Sequence, residues 1–189
     1  MKGLLIILSV LSSFLTNLET KTLKSDFTIT VAEDVTSPMN YPGTLTMQGS
    51  KFLLTMYTLQ AAYDGQTLYM YANGIDELTL SEPTQQELLE ANPFLYAKAL
   101  VDVCNVTEKA ITNNQTPITV ITLTPRDQSI GINRFTLRVR TADLMPLQLD
   151  IKEGNKSTTI KLTNPTYITT PVEYKITPDA NTYINDMRL

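Results

Sequence analysis

Apolar and polar residues alternate with a period of two through most of the chain, a pattern typical of strands with one buried face. The first such segment has Phe27, Ile29 and Val31 on one side, with threonines between them. The same alternation recurs at Leu45/Met47, Phe52/Leu54/Met56, Phe135/Leu137/Val139, Leu147/Leu149/Ile151 and Ile160/Leu162. Strands with one apolar and one solvated face predict an antiparallel sheet.

Turn signals separate these strands. Asp64-Gly65 lies between two short β-prone runs, and its glycine is suited to the positive φ of a tight hairpin. Asn73-Gly74 and Glu153-Gly154-Asn155 predict further turns. Because no strand-helix unit repeats, we expect one long meandering sheet, which must curl or be covered to bury its apolar face.

The middle of the chain contains one clear helical block. Thr84 and Glu87 form a capping-box pattern, and two leucines follow directly. Asn92-Pro93 ends this first helix and begins a second one that runs to Leu100. The pattern predicts two short helices packed on the sheet.

The N-terminus has the layout of a secretory signal peptide, with Met1-Lys2, an apolar run from Leu4 to Leu8 and small residues up to Ser13. We therefore expect residues 1–13 to direct export, and residues 14–189 to form a single domain. A second interpretation stays open, because Leu8, Leu11, Leu15 and Leu18 recur at helical spacing. In that case part of the segment is the apolar face of a helix in the folded protein.

Composition excludes several classes of function. The 189 residues carry a net charge of −4 and no run of basic residues, which argues against a nucleic-acid partner. There is no histidine and only one cysteine, Cys104, so histidine-based catalytic triads and histidine- or cysteine-rich metal sites are absent. Glu87 and Glu90 form a carboxylate pair, but in a solvated helical context. We expect no enzyme activity, no cofactor and no metal.

The order of several short segments resembles the LolA family of periplasmic outer-membrane lipoprotein carriers, in its Bacteroidetes-like form. Roughly three quarters of the chain is covered, and the signal lies in the order of many weak motifs. They are Gly43-Thr44-Leu45-Thr46-Met47, Lys51-Phe52-Leu53-Leu54, Tyr63-Asp64-Gly65-Gln66-Thr67-Leu68-Tyr69, Leu80-Ser81-Glu82-Pro83, Glu87-Leu88-Leu89, Asn92-Pro93-Phe94, Leu123-Thr124-Pro125-Arg126-Asp127 and Ile184-Asn185-Asp186-Met187-Arg188.

The resemblance implies an α+β fold in which a single antiparallel sheet curls into an incomplete β-barrel. Helices cover its concave apolar face as a lid, and the cavity between them holds acyl chains. The expected function is a monomeric periplasmic carrier that moves lipoproteins from the inner to the outer membrane. Its partners are acylated lipoproteins or other lipids, an inner-membrane lipoprotein-releasing transporter and an outer-membrane acceptor. The alternative is a lipid- or lipoprotein-sensing module of the cell envelope with the same fold.

The inward-facing apolar residues of the strands and of the lid are the candidate acyl-binding residues. They are Phe27, Ile29, Leu45, Met47, Phe52, Leu54, Met56, Met70, Leu88, Leu89, Phe94, Leu95, Phe135, Leu137 and Leu149. Flexible methionines suit a mobile ligand, although ordinary core packing produces the same pattern.

One feature departs from the family pattern. Proteobacterial carriers have an arginine after the Gly-x-Leu strand, and it hydrogen-bonds the lid closed. Here the segment reads Met47-Gln48-Gly49-Ser50-Lys51 and has no arginine. Gln48 and Lys51 are the candidates to take its place.

Overall fold

A computed structural model describes residues 2–33 and 37–188. Met1, the first residue of the predicted export segment, and Leu189, the last residue of the predicted domain, lie outside the described residues. The helices are α1 (Lys2–Thr20), α2 (Gln85–Ala91) and α3 (Leu95–Leu100), and a 3₁₀ turn spans Gln128–Ile130. The strands are β1 (Thr22–Ala32), β2 (Met39–Gln48), β3 (Lys51–Met56), β4 (Leu59–Tyr63), β5 (Leu68–Ala72), β6 (Glu77–Ser81), β7 (Cys104–Asn113), β8 (Thr116–Pro125), β9 (Arg134–Arg140), β10 (Pro146–Glu153), β11 (Lys156–Ile168) and β12 (Tyr183–Asp186).

All twelve strands belong to one sheet, in the order β12-β6-β5-β4-β3-β2-β1-β11-β10-β9-β8-β7. The sheet begins at β12 and ends at β7 without closing on itself, which confirms the predicted open sheet with helices. Eleven strands form antiparallel neighbours, whereas β12 pairs with β6 in parallel, through Tyr183 and Glu77 at one end and Asp186 and Leu80 at the other. The sheet is therefore mixed at this one edge.

The hairpin turns form where the sequence predicts them. Gly65 has a φ of +106°, and the Asp64 carboxylate accepts the N–H groups of Gln66 and Thr67, at 2.9 and 2.8 Å. Gly154 has a φ of +54° between β10 and β11. These left-handed positions need glycine because a side chain would be strained there.

The main core lies between the concave face of the sheet and the helices. From α1, Leu11, Phe14 and Leu18 are buried in it, and from α3, Ala97 and Leu100. The apolar start of the chain is thus helical and continuous with α1, and the helical spacing from Leu11 to Leu18 marks a buried face. Among the described residues, no helix is long and apolar enough to cross a membrane.

A second, smaller core lies on the outer face of the sheet. Ile176, from the extended segment between β11 and β12, packs there with Ala62, Leu78 and Leu80. Tyr69 and Tyr71 also lie on this face, opposite Leu68 and Met70, as the alternation of β5 predicts. The outer face of the sheet is therefore partly covered over β4, β5 and β6.

Candidate functional site

Helix α2 is fixed by its own ends more than by burial. The Thr84 side chain accepts the Glu87 N–H at 3.3 Å, and the Glu87 carboxylate accepts the Thr84 N–H at 2.7 Å, which completes the predicted capping box. Hydrogen bonds from the Thr84 N–H and hydroxyl lower the pKa of Glu87. At the other end, the Asn92 side chain accepts the Phe94 N–H and leads into α3. No side chain of α2 is fully buried.

An apolar cleft of about 370 Å³ lies between α2 and strands β1, β3, β4 and β5. Its floor is made by inward-facing side chains of the sheet. Its walls on the helical side are carboxylates and small apolar residues. The lining residues are Ile29, Leu54, Met56, Leu59, Ala61, Leu68, Met70, Glu87, Glu90, Ala91 and Pro93.

A second cleft of about 470 Å³ lies on the other side of α2, over β1, β10 and β11. Ile29, Glu90 and Pro93 line both clefts, so the two clefts adjoin each other. The lining of the second cleft is more polar. It consists of Ile29, Val31, Gln86, Leu89, Glu90, Pro93, Tyr96, Ile151, Glu153, Lys156, Thr158 and Ile160.

The structure separates the candidate acyl-binding residues into three groups. Ile29, Leu54, Met56, Met70 and Leu89 line the two clefts. Leu88 and Leu95 are half-buried. The rest are packed in the closed core beneath α1 and α3: Phe27, Leu45, Met47, Phe52, Phe94, Phe135, Leu137 and Leu149.

Sequence reasoning missed some lining residues of the apolar cleft. Leu59, Ala61 and Leu68 line it together with Met70. Their signal is the alternation of β4 and β5, which places Ala61 and Met70 in register on the inner face. Both strands have only five residues and contain alanine, so the alternation of apolar and polar residues is less pronounced there than in the longer strands.

The resemblance implies an arginine that hydrogen-bonds the lid closed, and in this chain other residues make the contacts at the helices. The Gln48 side-chain amide donates to the Thr20 carbonyl at 3.4 Å and its oxygen accepts the Thr22 hydroxyl, so Gln48 braces the end of α1. The connection between α1 and α3 is instead an ion pair of Lys98 and Glu19, at 2.6 Å. Both of its side chains are exposed, so the pair stabilises the fold only weakly.

The described residues contain one cysteine, Cys104. Cys104 is buried in the main core, and burial raises the pKa of its thiol. No cluster of histidine, cysteine, aspartate and glutamate in the described part of the chain has the geometry to hold a metal ion. The clefts beside α2 are the ones that the candidate acyl-binding residues line.

No protein-family model matches the sequence, and no curated protein matches it either. The fold is similar to several solved structures. Over 94% of this chain and 97% of the other, it matches an uncharacterized conserved protein from Thermus thermophilus with a TM-score of 0.63 at 10% identity. Lipoprotein LppX from Mycobacterium tuberculosis matches over 92% of this chain and 99% of its own, with a TM-score of 0.51 at 12% identity.

A LolA superfamily protein from Nitrosomonas europaea is also among the similar structures. It covers 86% of this chain and 94% of its own, with a TM-score of 0.42 at 9% identity. The two matches with TM-scores above 0.5 show a fold shared over more than nine tenths of this chain. Their identities of 10% and 12% show that fold and nothing finer.

Proposed function

We propose that the protein is an exported carrier that binds the acyl chains of lipoproteins in the clefts beside α2 and moves them from the inner to the outer membrane. The observation that carries this proposal is the apolar cleft of about 370 Å³, which α2 covers without filling. The fold shared with the lipoprotein LppX supports a role in the cell envelope.

The size of the cleft fits a single hydrocarbon chain. A methylene group occupies about as much volume as a water molecule, about 30 Å³, so the cleft holds about a dozen of them. Each buried methylene contributes about 0.8 kcal/mol, so one chain gains about 10 kcal/mol before the costs of binding. Hydrophobic burial therefore favours binding of such a chain before the costs of association are subtracted.

The rest of the role follows from the same proposal. Residues 1–13 direct export to the periplasm, and residues 14–189 form one monomeric carrier domain. An inner-membrane transporter supplies the lipoprotein and an outer-membrane acceptor receives it. Leu11 is 1% exposed, however, so a mature chain that begins after Ser13 lacks one side chain of the core seen here.

The test is uptake of a triacylated peptide by purified, delipidated protein, followed by native mass spectrometry. Met56 lines the apolar cleft, while Thr55 beside it on β3 faces the other side of the sheet. Met56→Asp places a charge in the cleft and is expected to abolish uptake, whereas Thr55→Asp is the matched control and should retain it. Equal uptake by both variants, or no uptake by the unmodified protein, contradicts the proposal.

A further inference from the structure

Several large apolar side chains are exposed together at one end of the sheet. Strand pairing places Met39 and Tyr41 opposite Val31 and Ile29 at the end of β1. Tyr57 follows the last residue of β3, and Ile75 lies in the turn between β5 and β6. We call this group the apolar rim, and its members are Met39, Tyr41, Tyr57, Ile75 and Tyr183.

Hydrogen bonds between neighbouring turns hold the apolar rim together. The Asn73 backbone N–H donates to the Thr58 carbonyl at 3.2 Å, and its side-chain amide donates to the Tyr57 carbonyl at 2.7 Å. The Tyr183 N–H donates to the Asp76 carbonyl at 3.1 Å. The tips that carry Tyr57, Ile75 and Tyr183 are therefore adjacent and fixed to a rigid sheet.

Burial within the chain does not explain these side chains. Tyr57 is 91% exposed and Ile75 is 71% exposed, although both are large and apolar. A group of exposed apolar residues marks an interaction surface. Three of the five are tyrosines, whose amphipathic rings are enriched at the boundary between water and lipid.

The apolar rim is continuous with the apolar cleft. Ile29, which lines the cleft, is paired with Tyr41. Met56 and Leu59, which also line it, flank the turn that carries Tyr57. A chain that leaves the cleft at this end therefore reaches the rim directly.

We propose that the apolar rim docks the protein on a lipid bilayer, with Tyr57 and Ile75 inserted into the interface and the cleft facing the membrane. The charges around the rim select the kind of surface. Asp76, Glu77 and Asp179 lie beside Ile75 and Tyr183, in residues 73–77 and 177–183, which contain no lysine or arginine. Anionic lipids would repel this end, so the favoured surface is zwitterionic and binding depends little on salt.

The experiment is flotation of the purified full chain with phosphatidylcholine vesicles and, separately, with vesicles rich in phosphatidylglycerol. We expect the protein to float with the zwitterionic vesicles, to the same extent at low and high salt. Tyr57→Ser and Ile75→Ser should each lower the partition coefficient about tenfold, which corresponds to one large apolar side chain leaving the interface. Both positions are exposed, so the thermal midpoint should not change.

Met187→Ser is the matched control, because Met187 is 61% exposed but follows the opposite end of β12. It should float like the unmodified protein. The proposal is overturned if the protein does not float, if Met187→Ser loses as much binding as Tyr57→Ser, or if only anionic vesicles bind and salt releases them. Flotation requires no acyl cargo, so this result is independent of whether the cleft takes up a triacylated peptide.

Discussion

Helices α1 and α2 cover the same concave face of the sheet in different ways. Helix α1 has 19 residues and contributes Leu11, Phe14 and Leu18 to the core, so its half of the face is sealed. Helix α2 has seven residues, buries none of them fully and has a cleft on each side. One half of the face is thus a packed core, and the other is a space that remains accessible.

The comparison shows two ways in which a helix is held on the same sheet. A helix held by buried side chains opens only when the whole domain unfolds, whereas a helix held by its end caps opens locally. The buried side chains of α1 stabilise the domain, whereas α2 contributes no fully buried side chain. We expect the variants below to distinguish these two ways of holding a helix.

The largest effect should come from the sealed half. Phe14 is 0% exposed on α1, and Phe14→Ala leaves a cavity in the main core. We expect it to lower the free energy of unfolding by about 3–5 kcal/mol, measured by denaturant titration. Leu88→Ala on the half-buried face of α2 should cost less than half as much. Equal losses at the two positions would remove the distinction between the halves.

A smaller and local effect is expected at the start of α2. Thr84→Ala removes a side-chain cap and should cost the helix about 1 kcal/mol. Hydrogen exchange of the amides in residues 85–91 should become about fivefold faster, with little change in the thermal midpoint. Thr84→Ser keeps the hydroxyl and should restore slow exchange. A global loss of stability in Thr84→Ala would show that α2 is not an independent unit.

The smallest effect concerns a carboxylate beneath α1. Glu108 on β7 accepts the Leu11 N–H at 3.1 Å, and burial raises its pKa above the ordinary value. A raised carboxyl pKa means that the folded state prefers the protonated form. The stability from Glu108 is therefore complete below the unfolded pKa and is lost as pH rises through the folded value.

In the full chain, which retains Leu11, Glu108→Gln keeps the acceptor oxygen and removes the charge. It should raise the thermal midpoint by about 2 °C at pH 7, the size of shift that less than about 1 kcal/mol produces in a chain of this length. At pH 4 the midpoint should equal that of the unmodified protein. A lower midpoint at pH 7 would show that the negative charge stabilises this end of α1.

Local patterns predicted most of the fold. The alternation around Phe27, Leu45 and Phe135 identified strands, and the Thr84 and Glu87 pair identified the start of α2, because these signals depend on neighbours in sequence. The C-terminal region was missed. Ile176 lies in a segment without periodicity, and the parallel pairing of Tyr183 with Glu77 depends on contacts across about 100 residues.

The sequence predicted which side chains face the inside of the sheet, but not which of them line the cleft. Alternation shows that Phe52 and Met56 both face inward, and both do. It cannot show that Phe52 is enclosed by the core while Met56 lines an open cleft. That difference depends on where α1 and α2 lie above the sheet, which is set by tertiary packing.

The two edge strands of the described sheet, β12 and β7, affect the tendency of the protein to aggregate. A sheet that does not close has unpaired backbone groups on its edge strands, which are templates for pairing with other chains. Here β12 is only four residues long, and the ion pair of Asp186 and Arg188 lies where it ends. On the other edge, β7 carries Glu108 and Lys109 at its centre. Short length and central charge both discourage edge-to-edge aggregation, so an open sheet can remain dispersed at high concentration.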